Sequence, residues 1–275
     1  MDNNPEEDEV ASLSALFPST SSDEDDDGEI VISAQQFPSV QLHDEPVEQL
    51  DIYPLSSIDA TVVIRQLRSL GISFQLWPAA TSFVNLLNQH HSNPTTSPLA
   101  SSVEISSGRQ LRILELGSGT GLAGIAMAAV LKADVTVTEL PHVIENLQYN
   151  VEANSEMVTK HGGSIVAAAL AWGEIDHMET VGRDFDLIIA SDVVYHNHLY
   201  DPLIQTLRYL LIGCDEGKER KPLKFVMAHL KRWKKESCFF KKARKLFDVA
   251  IIHSDSPLDR SRRGVSFYQF TRKQA

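Results

Sequence analysis

The chain has 275 residues, of which 43% are hydrophobic and 23% charged, a composition typical of a globular protein with room for one large α/β domain. Its longest apolar run, Leu122–Leu131, is about half the length that a membrane-spanning helix needs, and acidic residues near the N-terminus argue against a signal peptide. Two cysteines are too few for a disulfide framework or an all-cysteine zinc site. We therefore expect no membrane span, secreted disulfide scaffold or zinc ribbon.

Charge is distributed unevenly around a net value of −12. The first 29 residues hold 11 acids and no Lys or Arg, so this segment buries too little apolar surface to offset its chain entropy. We predict that residues 1–50 form an acidic disordered tail. Residues 218–275 hold 17 bases and 5 acids. Because apolar residues alternate with these bases, the pattern favours a helix with a solvated cationic face over a patch for an acidic protein or nucleic acid.

Residues 51–275 are predicted to form one domain. A β-rich stretch at 58–66 precedes an expected hairpin near Gly71, Pro78 opens a helix over 79–87, and residues 89–110 are predicted to be a polar loop insertion.

After that insertion, predicted strands and helices alternate. The predicted strands are 111–116, 134–138, 164–169, 185–190, 224–229, 249–253 and 265–271. The predicted helices are 123–131, 142–154, 199–211 and 236–247. This order predicts an α/β fold: a Rossmann-like seven-stranded, mostly parallel sheet with helices on both faces and an antiparallel edge strand. Such a sheet binds its ligand beyond the carboxyl ends of the strands.

The segment after the first of these strands carries glycines at alternate positions, Gly117, Gly119 and Gly121, which let the backbone turn sharply and approach a ligand. Glu139 ends the next strand, where a carboxylate can accept hydrogen bonds from both ribose hydroxyls of an adenosine ligand. Two cofactors fit this pattern, S-adenosylmethionine and a nicotinamide dinucleotide, because residues 119–124 also satisfy G-x-G-x-x-G.

Motifs outside the glycine turn make the pattern more specific. In chain order they are Leu-Trp-Pro-Ala-Ala at 76–80, Leu-Gly-Ser-Gly-Thr-Gly-Leu-Ala-Gly at 116–124, Ala-Trp-Gly at 171–173 and Ser-Asp-Val-Val-Tyr at 191–195. Together they resemble the methyltransferase-16 family of seven-β-strand, S-adenosylmethionine-dependent protein-lysine methyltransferases, whose members modify chaperones and translation elongation factors. The resemblance runs from about residue 58 to residue 272. It implies S-adenosylmethionine as cofactor and a protein, such as a chaperone or translation factor, as substrate.

The resemblance also implies roles for individual residues. The implied cofactor-binding residues are Trp77, Glu115, Gly117, Ser118, Gly119, Gly121, Glu139, Trp172 and Ser191. Among these, Trp172 is expected against the adenine, and Glu139 replaces the aspartate of many family members. Asp192 is expected to accept a hydrogen bond from the substrate amine, while Tyr195 forms one wall of the site and offers a cation–π contact.

Other functions stay open at this point. Methyltransferases that act on amino groups of nucleic-acid bases share an Asn/Asp-Pro-Pro-aromatic motif; residues 192–195 keep its ends and lack both prolines, which disfavours a nucleic-acid substrate. Another methyl acceptor, a nicotinamide-dependent oxidoreductase and a catalytically silent binding module are the alternatives. His196 and His198 are expected to be a solvated pair and not metal ligands. We expect a monomer in the cytoplasm, with the nucleus as a further location if the basic cluster 231–245 acts as a nuclear signal.

Overall fold

A computed structural model describes residues 47–104, 109–212, 223–257 and 264–273. The strands are β1 Gln49–Leu55, β2 Ala60–Gln66, β3 Arg112–Leu116, β4 Asp134–Glu139, β5 Ser164–Ala169, β6 Leu187–Ser191, β7 Lys224–His229, β8 Phe247–Ser254 and β9 Ser266–Arg272. The α-helices are α1 Pro78–Ser92, α2 Ala100–Val103, α3 Leu122–Leu131, α4 Ile144–Lys160, α5 Ile175–Val181, α6 Tyr200–Ile212 and α7 Ser237–Ala243. No helix within these residues is long and apolar enough to cross a bilayer.

Seven strands form one sheet in the order β5-β4-β3-β6-β7-β9-β8, which confirms the predicted α/β class. The strands from β5 to β7 run parallel, whereas β9 is antiparallel to both β7 and β8. The antiparallel strand therefore lies one position inside the sheet and not at its edge, where the sequence placed it. The exposure of the two strands explains this order, because Phe267 and Phe270 of β9 are fully buried while Ile251 of β8 is 59% exposed.

Helices cover both faces of this sheet, as predicted. One buried cluster joins the sheet to α1, α3, α4 and β2, and a second joins the opposite face to α6 and α7. Helix α3 is buried over almost its whole length, with Leu122 to Val130 all below the surface. Its small apolar side chains let it pack closely between β3, β4 and the neighbouring helices.

The first two strands form a separate antiparallel hairpin, β1–β2, that the sequence placed wrongly near Gly71. Residues around Gly71 instead form two 3-10 turns. The hairpin attaches to α4 through side-chain amides: Asn150 Oδ1 accepts the Arg65 N–H at 2.8 Å, and Asn154 Oδ1 accepts the Val63 N–H at 2.9 Å. These two asparagines, four residues apart on one helix face, pair with the strand edge as another strand would.

Three other local predictions need correction. The loop predicted at 89–110 is partly helical, because α1 continues to Ser92 on a face that includes the buried His90, and α2 follows. Helix α5 was missed, and the helix predicted at 236–247 ends at Ala243, so that Phe247 begins β8. Of the predicted tail, residues 49 and 50 belong to β1, while residues 1–46 lie outside the described residues.

Candidate functional site

The turn between β3 and α3 is built from three glycines in the left-handed region, with φ values of +60° at Gly117, +55° at Gly119 and +86° at Gly121. Other residues adopt this conformation at a cost of about 1–2 kcal/mol. A Cβ added to Gly117 would lie 2.8 Å from the Trp172 ring and 3.1 Å from Val193. The turn therefore lies directly against Trp172, the residue expected beside an adenine.

Glu139, the last residue of β4, is bonded to the same turn. Its carboxylate accepts the Gly119 N–H at 3.3 Å and the Leu140 N–H at 2.6 Å. Burial raises the pKa of this carboxyl, and those two N–H groups oppose the rise. Ser118 fixes the turn to β4, because its N–H donates to the Thr138 carbonyl at 2.9 Å and its hydroxyl accepts the Thr138 N–H at 3.0 Å. Ser118 thus holds the turn in place, with both polar groups bonded inside the protein.

Glu115 lies beneath the turn and is fully buried. Its Oε2 accepts the Gly124 N–H, in the first turn of α3, at 3.0 Å, and its Oε1 has no hydrogen-bond partner within the described residues. Burial raises the pKa of the Glu115 carboxyl to about 8. The structure therefore places Glu115 as a brace between β3 and α3, without exposure to a ligand.

Trp77, immediately before α1, lies on the other side of the turn. Its indole N–H donates to the Ile72 carbonyl at 2.9 Å, and the guanidinium carbon of Arg232 lies 5.3 Å from the centre of its ring. The same segment approaches the glycine turn, since the Ser73 carbonyl oxygen lies 3.5 Å from where a Gly119 Cβ would be. Trp77 therefore lies next to Arg232, at the end of the segment that approaches the glycine turn.

Asp192 follows β6 directly and has a left-handed φ of +56°. Its N–H donates to the Ala228 carbonyl at 2.9 Å, its Oδ1 accepts the Leu230 N–H at 2.9 Å, and its Oδ2 accepts the Arg232 guanidinium at 3.0 Å. Burial alone would raise its pKa, but His229, Arg232 and the Leu230 N–H together lower the pKa below its usual value. The side chain is only 3% exposed, so Asp192 lies behind the site surface and is ionised there.

Two further buried residues, His229 and Glu236, lie next to Asp192, and the sequence analysis did not find them. His229 Nδ1 lies 3.7 Å from Asp192 Oδ1, and its Nε2 lies 3.1 Å from Glu236 Oε2. Glu236 is fully buried and also accepts the N–H groups of Arg232 and Trp233 at 3.2 and 3.3 Å. Burial lowers the pKa of His229, but the two carboxylates outweigh burial and raise it overall. Two acids, Asp192 and Glu236, and two bases, His229 and Arg232, thus form one network, of which Arg232 is the partly exposed member.

Tyr195 lies near Glu139, in the segment that follows Asp192. Burial, with a smaller contribution from the Glu139 carboxylate, raises the pKa of its phenol to about 12. Its ring contacts His196, with centroids 4.9 Å apart, and the His196 ring stacks on His198 at 5.4 Å.

Within the described part of the chain, no group of three or more His, Cys, Asp or Glu side chains is arranged to hold a metal ion. Ser191 is half-buried at the end of β6, beside Asp192.

The structure therefore brings most of the predicted site residues together beyond the carboxyl ends of the parallel strands, in two kinds of position. The glycines, Glu139 and Trp172 form one wall, and Tyr195 lies beside Glu139. Glu115, Ser118 and Asp192 are bonded within the protein and support that surface from below.

Comparison with known proteins shows the family to which the chain belongs. A family model described as "Lysine methyltransferase" matches residues 57–246. The mouse protein N-lysine methyltransferase METTL21A is 32% identical over 200 residues, which cover 72% of this chain and 80% of that protein. The fission yeast protein-lysine N-methyltransferase rrg1 is 38% identical over 105 residues, 37% of this chain and 35% of that protein. The mouse EEF1A lysine methyltransferase 3 is 33% identical over 141 residues, 51% of this chain and 52% of that protein. The chain thus spans about half or less of the length of the last two relatives.

Proposed function

Because this chain belongs to the lysine methyltransferase family, we propose that it is an S-adenosylmethionine-dependent enzyme that methylates a lysine side chain of a protein. The observation that carries the proposal is the contact of Gly119 with Glu139, at 3.3 Å, beside Trp172. A left-handed glycine leaves room for a ligand. Glu139 already accepts hydrogen bonds from the Gly119 and Leu140 N–H groups and from the Ser73 side chain, and its carboxylate keeps a further lone pair for a ribose hydroxyl. Trp172 supplies an apolar ring for the adenine.

The same turn argues against a nicotinamide dinucleotide. A pyrophosphate binds to free N–H groups in the first turn of the helix that follows such a glycine turn. Here the Gly124 N–H already donates to Glu115 at 3.0 Å, and the Gly121 N–H donates to the Ser118 carbonyl at 2.8 Å. Two of the N–H groups near the start of this helix are therefore already bonded within the protein and are not free for a pyrophosphate.

Methyl transfer requires a neutral lysine amine, and about three pKa units, or roughly 4 kcal/mol, separate that form from the resting cation at neutral pH. S-adenosylmethionine supplies a methyl group on a positively charged sulfur. Tyr195 forms an apolar wall that favours the neutral amine, and Asp192 accepts a hydrogen bond that orients its lone pair. This role requires the amine to displace or share the Arg232 guanidinium, which donates to the Asp192 carboxylate at 3.0 Å.

We further propose a chaperone or translation factor as the substrate, because one relative is named for EEF1A. We also propose that the enzyme acts as a monomer in the cytoplasm, and in the nucleus as well if the basic cluster 231–245 serves as a nuclear signal.

The first test compares ligands and then products. S-adenosylmethionine should raise the melting temperature by several degrees at a concentration about 100 times its Kd, whereas NAD should not. Incubation with a labelled methyl donor and a cell lysate, followed by mass spectrometry of the labelled band, should locate the methyl group on a lysine. A melting temperature that responds to NAD alone, or a label on nucleic acid, would contradict the proposal.

The second test concerns Asp192. Asp192→Asn should lower methyl transfer by about 100-fold or more while leaving the Kd for S-adenosylmethionine within about threefold. The matched control is Asp186→Asn, because Asp186 immediately precedes β6 as Asp192 follows it, and it also pairs with an arginine, Arg109. The control should keep methyl transfer. Full activity of Asp192→Asn would remove Asp192 from the mechanism.

A further inference from the structure

The segment between β7 and α7 forms a strongly basic surface next to the proposed active site. Residues 229–245 hold eight Lys or Arg and one acid, and that acid, Glu236, is fully buried. Every exposed charge of this segment is therefore positive. At its tip, Trp233 is 41% exposed, and the Lys235 ammonium lies 5.6 Å from the centre of its ring. We name the exposed residues Trp233, Lys234 and Lys235 the basic rim.

Two contacts fix the basic rim beside the site. Arg232, which precedes it, binds the Asp192 carboxylate at 3.0 Å and lies over the Trp77 ring. Glu236, which follows it, accepts the N–H groups of Arg232 and Trp233. One residue of the rim, Lys235, also lies near the segment after β6: burial and His198 lower the pKa of His196, and Lys235 adds to that effect. The rim is thus held at the entrance used by a substrate that reaches Tyr195 and Asp192.

A basic entrance creates a difficulty for a lysine substrate. The target side chain arrives as a cation beside the rim, and charges interact over about 8 Å at physiological salt. Neighbouring cations repel a protonated amine and favour its neutral form, which assists the proton loss that methyl transfer needs. The binding free energy lost to this repulsion must then come from other residues of the substrate.

We propose that the basic rim binds acidic residues flanking the target lysine, so that the methylated segment is an acidic stretch of protein. This inference rests on the proposed lysine methylation. The acidic flanks compensate the rim charge during binding and increase the rate of association. Trp233 adds apolar contact for the aliphatic part of the same segment. A protein segment is favoured over nucleic acid because the amine acceptor next to the rim belongs to a protein.

The experiment uses the full chain and three fluorescent peptides with one central lysine each, flanked by acidic, neutral or basic residues. A single-stranded oligonucleotide of the same charge as the acidic peptide tests the other class of polyanion. Anisotropy gives the affinities, and transfer of a labelled methyl group gives the rates. The acidic peptide should bind about tenfold more tightly than the neutral one, since a few surface ion pairs contribute about 1.4 kcal/mol.

Charge reversal at the rim gives the decisive comparison. Lys234→Glu with Lys235→Glu should abolish the preference for the acidic peptide and leave the Kd for S-adenosylmethionine unchanged. The matched control carries the same charge change at Lys160 and Lys273, which are exposed beyond the opposite, amino-terminal edge of the parallel strands. Equal affinity for acidic and neutral peptides, an equal loss in the control, or tighter binding of the oligonucleotide through Lys234 and Lys235 would each overturn the inference. Failure of the wild-type chain to bind S-adenosylmethionine would instead contradict the proposed function.

Discussion

The two sides of the candidate site contain buried carboxylates with opposite behaviour. On the donor side, formed by β3, β4 and the glycine turn, burial raises the pKa of Glu115 to about 8. On the acceptor side, formed by β6, β7 and the segment before α7, the pKa of Asp192 is lowered although that carboxyl is also buried. The partners account for the difference: Glu115 accepts one backbone N–H, whereas Asp192 is bound to Arg232. Burial alone therefore does not decide whether an acid is ionised here.

Arg232→Met should produce the largest change in this comparison. It leaves the Asp192 carboxylate buried without its guanidinium, and losing one partner of a buried ion pair costs about 3–5 kcal/mol. We expect a loss of that size in the free energy of unfolding, measured with urea. The control is Arg109→Met, whose partner is Asp186. That pair is more exposed, so its loss should cost about 1 kcal/mol or less.

A double variant separates lost charge pairing from lost packing. Arg232→Met combined with Asp192→Asn removes both charges and should be more stable than the sum of the single losses by about 1–3 kcal/mol. If the two losses simply add, the ion pair does not hold the acceptor side together.

Glu115→Gln should act in the opposite direction and stabilise the protein. The folded chain keeps the Glu115 proton up to about pH 8, whereas the unfolded chain loses it near the ordinary glutamate pKa of 4.5, so wild-type stability falls as pH rises through this window. A glutamine has no proton to lose at this position. The gain in unfolding free energy should be about 1 kcal/mol at pH 5 and reach about 4 kcal/mol near pH 8.

The measurement is the difference in unfolding free energy between Glu115→Gln and the wild type across pH 5–8. That difference isolates Glu115, because Glu139 and His229 titrate in both proteins. Glu156→Gln, at an exposed position on α4, is the control and should give a flat difference. A flat difference for Glu115→Gln as well would show that Glu115 is ionised in the folded protein.

The donor side was far easier to predict from sequence than the acceptor side. Its glycines lie close together in the chain, and their spacing alone indicates a turn between a strand and a helix. The acceptor network joins Asp192 to His229, Arg232 and Glu236, and no local spacing marks these residues because β7 brings them together. In the sequence, the region after β7 shows a run of bases typical of a solvated helix face. The ion pair of Arg232 with the buried Asp192 depends on tertiary contacts and leaves no mark in the local sequence.

The fold shows the same division between local and long-range information. The alternation of strands and helices from β3 to β7 was predicted, apart from the short helix α5, because each longer element has its own apolar periodicity. The position of β9 between β7 and β8 was not, since both strands have similar patterns and the choice depends on which one buries more apolar surface in the sheet. The hairpin was misplaced because its position also depends on residues distant in the chain. Its second strand is completed by Asn150 and Asn154, nearly a hundred residues away.

Gly124→Ala should give the smallest of these effects, and it tests whether the donor side depends on close packing. A Cβ at this position would lie 2.3 Å from Val137 Cγ1 and 2.6 Å from Glu115 Oε2, so both neighbours must move. Alanine favours a helix by about 1 kcal/mol over glycine, whereas overpacking costs about 1–3 kcal/mol. We expect a net loss of about 1 kcal/mol in unfolding free energy. In a Val137→Ala background, which removes the nearer contact, the same substitution should become neutral or stabilising. An equal loss in both backgrounds would show that the strain lies at Glu115. In that case the buried Glu115 carboxyl, and not the Val137 side chain of β4, is the group that requires a glycine in the first turn of α3.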